Sequence, residues 1–198
     1  MIRRLPLIPT LLVLVAAAVM VGLGVWQLRR AHDKEALIAR YAAAQGLSPT
    51  VWPTRPVGDQ DLPLFRRATG LCLQPVASKA VGGRNRKGES GYSHWVDCRT
   101  GGMEGPGMRV DIGWSRDPRA GGGWTGGPVG GVIGPDGEQR MRLISDRGLA
   151  GLEPSAVPDV ADVPNNHRSY AFQWFAFALT ALVIYALAVR AKLRGPQQ

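Results

Sequence analysis

Two uncharged apolar runs limit what this chain can fold into: "LIPTLLVLVAAAVMVGLGVWQL" at 7–28 and "YAFQWFAFALTALVIYALAV" at 170–189. Each has about the ~20 residues a helix needs to cross a ~30 Å hydrocarbon core. Pro9 falls in the first turn of the first run, where a missing N–H does little harm. Trp26, Tyr170, Trp174 and Tyr185 lie toward the run ends, as interfacial aromatics do. A cleaved signal peptide is the rival reading of the first run, with "MIRR" as its charged start and the alanines at 16–18 as its small-residue site. The apolar stretch continues ten residues past those alanines, to Leu28, which favours a retained membrane helix.

The charge distribution agrees. The formal net charge is +9, yet residues 48–163 hold 14 Lys and Arg against 13 Asp and Glu, a net of only +1. The other 10 basic and 2 acidic residues, net +8, flank the two apolar runs. Basic flanks anchor segments at the anionic cytoplasmic face of a membrane. A nucleic-acid binder would carry its excess charge on the folded domain, so no nucleic-acid partner is expected. Arg190, Lys192 and Arg194 follow the second run and only Arg168 precedes it, which places the C-terminus in the cytoplasm. The first run is flanked on both sides, by Arg3 and Arg4 and by Arg29, Arg30, Lys34 and Arg40. Long loops translocate largely regardless of charge, so both termini inside and the middle outside is the favoured topology.

After the first run, "RRAHDKEALIARYAAAQG" reads as helix continuing out of the bilayer until Gly46 and Pro49. Pro49, Pro53, Pro56 and Pro63 then make an extended connector. Strand signals follow in "LFRRATGLCLQ", "GYSHWVDCR", "MRVDIGW", "PVGGVI" and "QRMRLIS", separated by Gly-rich loops. Seven glycines within 121–131 argue for irregular loop and bulges, and "PDGE" at 135–138 for a tight turn. No helical period separates the strands, so βαβ crossovers are not expected. The predicted class is an α+β membrane protein, two transmembrane helices flanking a small antiparallel β-sheet or barrel-like extracytoplasmic domain. Its segments are a cytoplasmic tail (1–6), transmembrane helix (7–28), helical stalk (29–46), extracytoplasmic β-rich domain (47–163), transmembrane helix (164–189) and cytoplasmic tail (190–198).

Conventional catalytic chemistry is hard to find. Cys72 and Cys98 are the only cysteines; they form either one disulfide outside the cytoplasm or two buried thiols. Their spacing is no zinc or copper motif, and three histidines, His32, His94 and His167, make a metal cage of protein ligands improbable. There is no G-x-S-x-G and no P-loop, and "GGGWTGG" opens no helix. Asp97 and Asp111 are isolated strand acids, more often solvated or paired than catalytic. No enzyme activity is expected.

One stretch concentrates polar chemistry at a membrane boundary: "NNHRSYAFQWF", residues 165–175. Asn165 or Asn166 can cap the second helix. His167 then sits at the outer headgroup level, with Tyr170, Ala171, Trp174 and Ala178 on its helical face. Gly22 and Gly24 on the first helix allow close backbone approach, and Trp26, Gln27, Arg29 and Arg30 lie at the same boundary. A flat apolar ring with acidic edges would fit an aromatic, small-residue slot there, with His167 on its iron and an Arg on a propionate. The plainer alternative is an interfacial His bonded to headgroups or backbone.

"GLGVWQLRRAHDKEALI", "FRRATGLC", "MRVDIGW" and "NNHRSYAFQWF", in that order, resemble the Surfeit locus protein 1 family of cytochrome oxidase assembly factors, over about residues 22–191. The two membrane-end motifs are specific and the central strands weak. The chain departs from the family's Arg-Gly-Trp at Asp111 and Ile112, and from its usual aromatic at Asp33. The resemblance implies two helices with a domain outside and a role in building the catalytic subunit of cytochrome c oxidase as haem a is inserted. It implies the membrane, that subunit and the haem a synthesis enzymes as partners, and haem a as a transient cofactor. Gly24, Trp26, Gln27 and Arg30 match the first motif; Asn165, Asn166, His167, Tyr170 and Trp174 match the second. From these, His167, Arg30, Trp26, Tyr170 and Trp174 are the candidate haem residues, His167 the candidate iron ligand, and Gly24, Gln27, Asn165 and Asn166 the candidate partner or structural residues. The short N-terminal tail leaves little room for a transit peptide, so a bacterial inner membrane is expected. A scaffold that binds the nascent oxidase subunit without haem, and a two-helix sensor, are the competing readings.

Overall fold

A computed structural model describes residues 6–101 and 107–194. The expected N-terminal tail with Arg3 and Arg4 lies outside them, apart from Pro6, as does the end of the C-terminal tail. The chain forms two compact units, one of Met1–Leu37 with Pro164–Gln198 and one of Ile38–Val163.

Helix α1 (Leu7–Gln45), whose residues from Ile38 on belong to the second unit, and helix α2 (His167–Arg194) are both long and apolar enough to cross a membrane. Only 11% and 6% of their most apolar windows are buried, unlike the core helix of a soluble domain. α1 has 39 residues and runs unbroken to the residue before Gly46, so the apolar run and the expected stalk are one helix. The two helices are antiparallel: Thr10 bonds Tyr185, Gly24 meets Phe175, and Gln27 bonds His167. Ala17, Gly24 and Ala31 are the buried residues of α1, and Ala171 and Ala178 those of α2. A spacing of seven keeps small residues on one seam of a slightly supercoiled pair, letting the backbones approach. A Cβ on Gly24 would lie 2.6 Å from Phe175 Cε1, whereas Gly22 faces open space.

The second unit is one seven-stranded sheet. Its strands are β1 (Thr50–Val51), β2 (Arg67–Cys72), β3 (Gln74–Arg84), β4 (Ser90–Arg99), β5 (Met108–Ser115), β6 (Gly127–Asp136) and β7 (Arg140–Ser145), in the order β1-β2-β6-β7-β5-β4-β3. The expectation of an antiparallel or barrel-like sheet holds only in part, since the sheet is mixed. β1 pairs parallel with β2, and β7 with β5. The second pair needs no crossover helix, because the β6–β7 hairpin folds back between β2 and β5 and returns β7 in the direction of β5. The ladder is also not closed into a barrel, since β1 and β3 are its two ends. β2 and β3 are nonetheless one extended run interrupted only at Leu73, whose N–H bonds Arg99 O at 2.9 Å. Beside that bend Cys72 and Cys98 are disulfide-bonded, with Cα atoms 5.3 Å apart.

Inward residues of β4 to β7 form the core with Cys72 and Cys98; Met108, Val110, Ile133 and Leu143 are fully buried. Ile38 and Tyr41, in the last turns of α1, pack on it, with the Tyr41 ring 4.8 Å from that of Phe65. β5 is central and buried on both faces from Met108 to Trp114, so its outward-facing charges must be paired. Arg109 is held by Asp97 at 2.7 Å, by Glu138 at 2.8 Å and by Asp136 at 3.2 Å, which keeps its guanidinium charged. Asp111 accepts from Ser155 Oγ at 2.6 Å and from Gly113 N–H at 3.2 Å. A bulge between β4 and β5 at His94/Trp95 turns both Ser93 and His94 into the protein.

Candidate functional site

The polar mouth of α2 is built within the helix pair. Pro164 ends the extended approach, and His167 is the first residue of α2, so its imidazole stands at the helix end. His167 Nδ1 lies 2.7 Å from Gln27 Oε1 on α1. A carboxamide oxygen only accepts, so Nδ1 donates and, in a neutral ring, Nε2 carries the lone pair. One residue on, Arg168 reaches Glu35 with both nitrogens of its fork, Nε at 2.7 Å and Nη2 at 3.1 Å. The pair is exposed, so it orients the helix ends more than it stabilises them. Tyr170 N–H bonds the Asn166 carbonyl, closing the first turn through the backbone. Asn165 Oδ1 is buried without a hydrogen-bond partner among the described residues.

The candidate aromatic and arginine side chains lie on the same two helices. Trp26 is 52% exposed and Tyr170 50% exposed; Arg30 is also exposed, and Trp174 is half-buried with its ring edge-on to Phe177. Arg30 is one turn from Gln27, and Tyr170 one turn from His167, so both sit on neighbouring faces. The slot expected below His167 is different in kind. Ala171 and Ala178 are buried in the helix pair, so the small residues are spent on helix packing. The Gln27–His167 bond and the Arg168–Glu35 clamp were not foreseen. The only sequence signal for either was complementary side chains at the ends of two apolar runs.

Cys72, Cys98 and His94 belong to the second unit and take no part in this site. Among the described residues, no group of three or more His, Cys, Asp and Glu side chains could hold a metal ion. The donor set at the mouth is therefore one imidazole nitrogen, exposed arginines and aromatics, and an unpaired amide oxygen. Such a set offers a ligand one nitrogen donor, cationic side chains, aromatic surface and one acceptor.

Two antiparallel helices long and apolar enough to cross a membrane, with a mixed-sheet unit between them in the sequence, define the class as an α+β protein of membrane type. The family model of the SURF1 family matches residues 14–179, spanning Gln27, the whole sheet and His167. The chain belongs to the SURF1 family, which is known for cytochrome oxidase assembly and is a family of assembly factors rather than catalysts. No curated protein matches the chain.

Proposed function

We propose that this protein holds haem a at the mouth of its helix pair and presents it to the catalytic subunit of a haem–copper oxidase during assembly. The observation that carries this is the bond from His167 Nδ1 to Gln27 Oε1, 2.7 Å long. Histidines that ligate metals usually donate the second ring nitrogen to an oxygen, which sets the tautomer and raises the basicity of the first. Here that leaves Nε2 free for iron. Trp26, Tyr170 and Trp174 offer aromatic surface, Arg30 a propionate partner and Asn165 an acceptor. The group itself supplies the redox iron the oxidase needs; the chain's residues bind it, orient it and release it.

The setting we propose is the bacterial inner membrane, with both termini cytoplasmic and the sheet domain in the periplasm. Arg190, Lys192 and Arg194 after α2 support that orientation, and the Cys72–Cys98 disulfide supports an oxidising compartment for the domain. Close partners on this reading are the oxidase subunit that receives haem a and the enzymes that make it.

The test is an absorption spectrum of the detergent-purified protein co-expressed with haem a synthesis. The wild type is expected to carry a haem a band, and His167→Ala to lose it while accumulating normally in the membrane. Gln27→Leu should keep the imidazole but weaken retention about 10- to 100-fold. A colourless wild type on which oxidase assembly still depends would remove haem from the account and make the mouth a docking surface for the nascent subunit.

A further inference from the structure

Three segments far apart in sequence meet around Asp146, just after β7. Arg67 on β2 forms an ion pair with the Asp146 carboxylate through Nη2. Arg86, in the turn between β3 and β4, donates its Nη2 to the Asp146 carbonyl. These three residues, with Val132, Ala156 and Val157, line an open groove of about 700 Å³. The groove belongs wholly to the sheet domain and takes no part in the helix mouth.

The fold fixes each wall. Arg67 stands in register with Val132 of β6, and the Asp146 N–H bonds Gly130 O on the same strand at 3.0 Å. The turn that carries Arg86 is braced from within by Asn85, which is 2% exposed. Asn85 Oδ1 accepts the N–H groups of Lys87 and Glu89, both at 3.0 Å, and its Nδ2 donates to Glu89 Oε2 at 2.6 Å. Ala156 is tied to the end of β3 by its N–H to Arg84 O at 2.8 Å. Guanidiniums held on such a frame lose less freedom when a ligand arrives.

The charges in the groove do not balance. Two guanidiniums share one carboxylate in the lining, and Arg86 forms no salt bridge among the described residues. Each arginine meets Asp146 through Nη2, which leaves the Nε and Nη1 edge of its fork for another acceptor. Residues 48–163 carry 14 Lys and Arg against 13 Asp and Glu, so this surplus is local rather than a property of the whole domain. The rest of the lining is apolar, with Val132 half-buried and Val157 39% exposed. Asp146 decides among anions. A compact, multiply charged group gathered by both arginines would press its charge against that carboxylate. Carboxylates carried singly on an extended chain reach each guanidinium separately, since side chains on one face of a strand are spaced about 7 Å apart. Arginine forks pair well with such carboxylates.

We propose that this groove is a docking surface for an acidic, extended segment of a partner protein. Its carboxylates pair with Arg67 and Arg86, and an apolar side chain among them packs on Val132 and Val157. Asp146 orients both guanidiniums and disfavours more compact anions.

The experiment is fluorescence anisotropy of a labelled, end-capped Glu-Glu-Leu-Glu-Glu peptide titrated with the detergent-purified full chain, at low and at physiological salt. Wild type is expected to bind it at least about tenfold more tightly than the Lys-Lys-Leu-Lys-Lys counterpart, and Arg86→Ala to lose about tenfold, the scale of one charge-assisted hydrogen bond. Val157→Asp sets a like charge in the groove and should weaken binding as much. Arg119→Ala removes an exposed arginine on another loop and should change nothing. All three variants should keep the wild-type circular dichroism spectrum. A wild type that fails to bind the acidic peptide at low salt overturns the proposal. An Arg86→Ala loss no larger than that of Arg119→Ala also overturns it, because binding then follows overall charge. Displacement of the peptide by phosphatidylglycerol added to the micelles would assign the groove to a lipid headgroup instead.

Discussion

The buried carboxyl of Asp111 shows how much one side chain's surroundings decide. It is 2% exposed on the outer face of the central strand, and burial pushes its pKa up to about 6 despite the bond from Ser155, the nearby Arg142 and the Gly113 N–H. The folded chain thus keeps a proton that the unfolded chain has already lost between the ordinary carboxylate range and about pH 6. Stability from the neutral form is complete below the ordinary range and declines as pH rises through about 6. A displacement of that size corresponds to roughly 3 kcal/mol. Asp111→Asn keeps an oxygen for Ser155 and Gly113 and carries no charge. It should flatten the pH profile of thermal unfolding between pH 4 and 7 and raise the midpoint at pH 7, with little change at pH 4. A variant less stable at every pH would mean that the Arg142 attraction outweighs the burial penalty. From sequence, Asp111 was an isolated strand acid, solvated or paired; that both of its faces are covered follows from the strand order. His167 was more legible, because its place at the end of an apolar run sets its environment whatever the rest of the chain does.

At the scale of elements, the two helices were the clearest signals and the sheet edges the faintest. Segments quoted as strands lie in or across β2, β4, β5, β6 and β7, while β1 and β3 were not among them. β3, "QPVASKAVGGR", is mostly exposed and poor in β-branched residues, so it lacks the alternation that marks a half-buried strand. What holds it is the ten-residue ladder to β4, a tertiary partner invisible in its own composition. In the helix pair the informative feature is the seven-residue spacing of small side chains. Gly24→Leu would drive a branched side chain into Phe175, forcing the helices apart. It is expected to lower the thermal midpoint in detergent, and Phe175→Ala on top of it should recover part of the loss. Gly22→Leu, facing open space, should do little. Equal effects at positions 22 and 24 would contradict the seam.

For the whole molecule, the disulfide is the main covalent constraint on the sheet domain. Cys72 and Cys98 are 26 residues apart, a loop whose closure restricts the unfolded chain by about 3.5 kcal/mol. Reduction, or the pair Cys72→Ser with Cys98→Ser, should destabilise the domain by about that amount, read by denaturant unfolding of the full chain. An unchanged midpoint would show that the core alone suffices. The bond joins β2 to β4, strands with three others between them in the sheet order, and it can do so because β2 continues into β3 beside β4. By itself the sequence determined the two membrane-length helices, the β-rich middle, the family and the polar mouth with His167, because apolar length, local alternation and end motifs are written in contiguous residues. Tertiary structure alone decided the parallel pairs, the bonded cysteines, the Gln27 partner that sets the His167 tautomer, and the buried environments of Asp111 and His94. Each of these depends on which distant segments the folded chain brings together, and local periodicity carries no record of that.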